Sequence, residues 1–180
     1  YGFEDGKFIR YDIKVLGVMD SLQLVAYLEK KSKAAEELSK KLIPRESIVK
    51  SEAVGMISKW KDGSLIKSMK ETSPGVHILV KEEGTGMQAR ILSTVATNYA
   101  GFLKDGKCFD NSFKTGKPFF FRLGSKKVIP GWDIGFKDLK QGTKGWMIVD
   151  AAQAYGDVQI GDMVPPNSDL LFYFELQDVY

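Results

Sequence analysis

The chain has 180 residues, a mass of 20.1 kDa and 43% hydrophobic content, enough for one large domain or for a domain with an appendage, and too apolar for a disordered chain. Its 26 basic and 23 acidic residues leave a net charge of only +3, which excludes the basic stripe of a nucleic-acid binder; the run from Lys30 to Lys41 is interleaved with Glu36 and Glu37, as on a solvated helix face. A single cysteine, Cys108, excludes an internal disulfide, and a single histidine, His77, with no cysteine nearby excludes ordinary zinc spacing.

From Lys7 to Leu16, Ile9, Tyr11, Ile13 and Val15 alternate with polar residues, which predicts a half-buried strand. Asp20 or Ser21 then caps a helix whose apolar positions are Leu22, Val25, Leu28, Ala35, Leu38 and Leu42, ending at Ile43-Pro44. A second helix is predicted from Pro44 to about Trp60, with Val49, Ala53, Ile57 and Trp60 along one face, and Asp62-Gly63 signals the turn that closes it. Residues 1–72 thus read as a strand and helical segment preceding a domain over 73–180.

After Ser73-Pro74-Gly75 the chain changes to β-rich runs: VHILV, LSTVATNYAGFL, KPFFFRL, TKGWMIV and DLLFYFELQDVY. One short helix opens at Pro130-Gly131 and stops before Gln141-Gly142, placing Trp132 in its first turn. The expected fold class is α+β, a curled antiparallel five-stranded sheet wrapped on that helix. No apolar run reaches the roughly 18 to 20 residues that span a bilayer. The sequence starts at Tyr1 without a methionine, as a removed secretory or lipoprotein leader, a tag or trimming would each leave it. A cell-envelope or periplasmic location is favoured on that ground, with the cytoplasm left open.

Five stretches carry a resemblance: NYAGFLKDGKCFDNS at 98–112, KPFFFRLG at 117–124, VIPGWDIGFKDLKQG at 128–142, AYG at 154–156 and VPPNSDLLFYFEL at 164–176. In this order and spacing, residues 75–180 resemble an FKBP-type (FK506-binding protein) peptidyl-prolyl isomerase domain along its whole length. The resemblance implies a proline pocket with catalytic positions at Tyr99, Phe109, Asp110, Phe119, Trp132, Tyr155 and Phe172, and substrate-binding positions at Val128, Ile129, Met163 and Val164. It places the Trp132 indole on the pocket floor and makes the Tyr155 hydroxyl and Ile129 N–H donors to substrate carbonyls. Asp110 would orient either the substrate's carbonyl end or its own loop. No nucleophile, metal or cofactor is implied.

The sequence departs from the family's usual pattern at Ile160, where a histidine is common, at Thr115, where an arginine often faces the aspartate, and at Lys127, where an acidic residue is frequent. Whether Lys114 partners Asp110 stays open, and VDAAQAYG leaves the tip near Asp150 undefined. None of these positions is expected on the apolar floor, so altered substrate preference or drug affinity is expected, with activity retained. Implied partners are proline-containing peptides or unfolded proteins and macrolides such as rapamycin. A non-catalytic proline-binding docking or chaperone module, and aromatics serving as core alone, are the competing readings. Tyr1-Gly2 followed by KFIRYDIKVLGV resembles Tyr155-Gly156 leading to FYFELQDV, which makes residues 1–18 either the tail of a preceding repeat or a chance amphipathic strand. About 70 residues hold only a marginal core, so the N-terminal segment is expected either to dock on the domain or to self-associate as a homodimer. Residues 73–180 are expected to fold and work alone.

Overall fold

The computed structural model describes residues 20–180. The strand expected from Lys7 to Leu16 and the echo at 1–18 lie outside the described residues. The chain divides into two compact units between Ala35 and Glu36.

Helix α1 spans Ser21–Leu42. Its entry is a reciprocal cap: the Gln23 N–H donates to Asp20 Oδ1 (2.8 Å), and the Asp20 N–H donates to Gln23 Oε1 (3.2 Å). Leu22, Val25 and Leu28 are exposed along it.

In the unit beginning at Glu36, α1 ends before the turn at Ile43-Pro44 and α2 follows over Arg45–Lys61. Val49, Ala53, Ile57 and Trp60, at the predicted spacings, are its buried residues. A short helix, α3 (Ser64–Ser68), leads into the sheet. The strands are β1 (Lys70–Ser73), β2 (Val76–Glu82), β3 (Thr94–Phe102), β4 (Cys108–Asn111), β5 (Phe119–Arg122), β6 (Lys144–Val149) and β7 (Leu170–Val179). They pair antiparallel in the order β1-β2-β6-β7-β3-β4, with β5 also on β3. The five predicted runs are β2, β3, β5, β6 and β7. The short β1 and β4, of four residues each, have no buried residue, and so no apolar period marked them.

Both faces of this sheet are apolar. Along β7, Leu170, Phe172, Phe174 and Leu176 join one core with Met147 and Val149 of β6 and with Val95 and Tyr99 of β3. The alternate residues Leu171 and Tyr173 join a second core with Trp146, Ile148, Ala100 and Phe102. Helix α4 (Pro130–Gly135) covers the first face with Trp132, followed by Phe136. The second face is covered by Val49, Ala53, Ile57 and Trp60 of α2, together with Leu42 and Leu65. The apolar side of the second predicted helix is therefore packed against the sheet, and the expected boundary at 72/73 falls inside β1.

One charge is buried under α2. Glu175 of β7, 3% exposed, accepts from the Arg45 guanidinium, the Tyr173 hydroxyl (2.8 Å) and the Gln177 amide (3.2 Å). A buried carboxylate is tolerable only with such partners, so the pair fixes where α2 starts on the sheet.

Candidate active site

Pro130 is the first residue of α4 and lacks only an N–H that the first turn does not use. Gly131 and Gly135 lie one turn apart. A methyl at Gly131 would come 2.4 Å from Val149 Cγ1, and one at Gly135 would come 2.4 Å from Met147 Cε. The helix backbone therefore presses directly on β6, and that close approach explains the Pro-Gly-Trp-Asp-Ile-Gly pattern. Trp132, carried between the glycines, meets Tyr99 edge-on (4.9 Å between ring centres), Phe172 (5.3 Å) and Phe119 (5.9 Å).

Above the indole lies a cavity of about 530 Å³. Its lining includes Tyr99, Phe109, Asp110, Phe119, Val128, Ile129, Trp132, Tyr155 and Phe172. The structure thus brings together every residue that the resemblance singled out except two. Met163 is 40% exposed outside the cavity lining, and Val164 is buried in the core behind it. Ile160 and Lys127, expected off the floor, line the cavity, as do Lys126, Pro130, Ala154 and Val158. Apart from Pro130, those positions come from loops and turns, whose course no hydrophobic period reports. Asp110 accepts from the Tyr99 hydroxyl at 2.5 Å, whereas the Lys114 backbone N–H donates to Asn111 Oδ1. No ion pair joins Lys114 to Asp110 among the described residues. Neither the Tyr155 hydroxyl nor the Ile129 N–H is engaged by another described residue. No group of three His, Cys, Asp or Glu residues is placed to hold a metal ion among the described residues.

The FKBP-type peptidyl-prolyl cis-trans isomerase family model matches residues 86–177. The chain belongs to the FKBP-type peptidyl-prolyl cis-trans isomerases. It is 35% identical over 180 residues to the FKBP-type isomerase FkpA of Escherichia coli strain K12, a match that covers 93% of this chain and 64% of that protein. It therefore spans less than two thirds of that relative's length. FK506-binding protein 1 of Dictyostelium discoideum is 39% identical over 102 residues, 57% of this chain and 95% of that protein. The crystal structure of AtFKBP13 superposes with a TM-score of 0.58 at 31% identity, covering 62% of this chain and 98% of that one.

Three phenols of the FKBP domain, those of Tyr99, Tyr155 and Tyr173, lie in surroundings that resist ionisation. Burial, and then the hydrogen bond to Asp110, keep the Tyr99 hydroxyl protonated far above the usual tyrosine range. Burial and the Asp110 charge push Tyr155 upward, and burial followed by the Glu175 charge does the same for Tyr173. The unfolded chain ionises these groups near pH 10 while the folded one does not, so unfolding releases protons there and stability falls as pH rises. Urea midpoints are expected to be level to about pH 9 and to drop steadily above about pH 10. Midpoints unchanged to pH 11 would contradict this account of the three tyrosines.

Proposed function

We propose that the protein catalyses cis/trans exchange at Xaa-Pro bonds in peptides and folding proteins, with the prolyl ring seated on Trp132. The observation that carries this reading is a cavity floored by an indole, walled by Tyr99, Phe119 and Phe172, and open to two disengaged donors. A prolyl amide has cis and trans forms within about 0.5 to 1 kcal/mol, separated by a barrier of roughly 18 to 20 kcal/mol. At the top of that barrier resonance is lost and the carbonyl is less polar than in either planar form. An apolar pocket therefore favours the twisted amide over the planar ones, and each 1.36 kcal/mol of that difference gives about tenfold in rate. The Tyr155 hydroxyl and the Ile129 N–H hold the neighbouring carbonyls, and Asp110, tied to Tyr99, fixes the wall. No proton is transferred.

A proline-peptide exchange assay tests the reading, and folded protein that gives no acceleration would overturn it. Tyr155→Phe removes one neutral hydrogen bond and is expected to lower kcat/KM by about two- to tenfold. A macrolide such as rapamycin presents a comparable ring and is expected to compete with peptide and to change the Trp132 emission.

Leu22, Val25 and Leu28 of α1, each more than half exposed, are proposed to pair with a second copy of the chain. Sedimentation is expected to give a dimer that Val25→Glu with Leu28→Glu converts to monomer; a monomeric wild type would refute the pairing.

A further inference from the structure

We propose that the isomerase selects prolines flanked by an acidic residue, through Lys126 and Lys127 on the cavity rim. The proposal rests on the proline pocket proposed above and adds a charge requirement to it.

The cavity lining carries two lysines and one carboxylate, Asp110. Asp110 accepts from the Tyr99 hydroxyl through Oδ2, which leaves the two lysines as the larger charge of the lining. Lys126 and Lys127 are both exposed, and neither has an ion-pair partner within 4.0 Å among the described residues. Their loop is anchored at both ends. The Leu123 N–H donates to the Ser93 carbonyl and the Gly124 N–H to Asp133 Oδ1, while Val128 and Ile129 pack on the core beside the floor. Lys126 is held at φ 57°, a left-handed conformation that is strained for a residue with a side chain. Glycine would occupy that position without strain, yet the loop presents an ammonium group there.

Two adjacent cations at the mouth of an apolar pocket attract a carboxylate on the bound segment. A residue advances an extended chain by roughly 3.3 to 3.6 Å, so the lysine stems reach a side chain within about two residues of the proline. Each exposed charge pair contributes modestly, and two together give about a three- to tenfold preference at low salt.

The test uses matched peptides with Glu or Gln one residue before, one after or two after the proline. Exchange is followed by NMR without a coupling protease, and affinity by tryptophan fluorescence. The wild type is expected to show a Glu/Gln ratio of about three to ten in kcat/KM and in affinity for at least one position. That ratio should collapse toward one in 0.5 M salt and fall below one in Lys126→Glu with Lys127→Glu. Ratios within about twofold of one at all three positions, or ratios that the double variant leaves unmoved, would overturn the proposal. Failure of every peptide alike to bind or exchange would instead strike the pocket reading, and the charge preference with it.

Discussion

Starting the chain at residue 73 is expected to leave it unfolded or aggregated, whereas starting it at residue 36 is expected to leave it folded. The shorter fragment loses Val49, Ile57, Trp60 and Leu65 from the second core and cuts β1. Burying each such large side chain contributes about 1.5 to 3 kcal/mol, so the loss matches the 5 to 15 kcal/mol that holds a typical domain together. It also uncovers Phe102, Trp146, Ile148, Leu171 and Tyr173 and leaves Glu175 without Arg45. Denaturant melts and light scattering of the two fragments distinguish the outcomes. A 73–180 fragment that is soluble, cooperative and within about 2 kcal/mol of the longer one would refute the idea that α2 is part of the fold. Sufficiency of 73–180, as the sequence suggests, would require the outer face to tolerate water.

Exchanging two of the buried tryptophans, Trp132 and Trp146, for leucine should separate floor from scaffold. Trp132 is 5% exposed and Trp146 is 0% exposed, and each replacement is expected to lower stability by about 1 to 3 kcal/mol. Only Trp132→Leu removes the surface on which the ring rests, and its kcat/KM is expected to fall about 10- to 100-fold, or roughly 1.4 to 2.7 kcal/mol of barrier. Trp146 packs on the far side with Phe102 and Tyr173, so Trp146→Leu should keep kcat/KM per folded molecule within about twofold. Equal losses in both variants would mean that the floor acts only through global stability. Measuring folded fraction by circular dichroism alongside exchange rates makes the comparison direct.

The sequence was explicit wherever period or punctuation carries the information. Val49, Ala53, Ile57 and Trp60 announced α2 by spacing, and Pro130 with its glycines announced α4. The aromatic positions around Trp132 were legible from the family resemblance because strands and a helix hold them. Less visible was the second apolar face, although WMIV in β6 and LLFYF in β7 are continuous where a one-sided strand would alternate, which already implies cover on both sides. The cavity rim was hidden for a different reason. Lys126, Val158 and Ile160 arrive through turns whose path depends on tertiary anchors such as Asp133, and local propensity does not encode that path.

The position of β7 sets the order in which the molecule can be completed. It lies between β6 and β3 although it follows both in sequence, so its residues emerge from the ribosome after every strand they join. Until Leu170–Val179 are available, β3 and β6 have no shared neighbour, and Trp146 and Phe102 must wait without a finished sheet beneath them. Closure is therefore a late, long-range event, which slows folding and lengthens the time for which an apolar intermediate is exposed. Until that central strand arrives, the edges of β3 and β6 that it pairs with stay open.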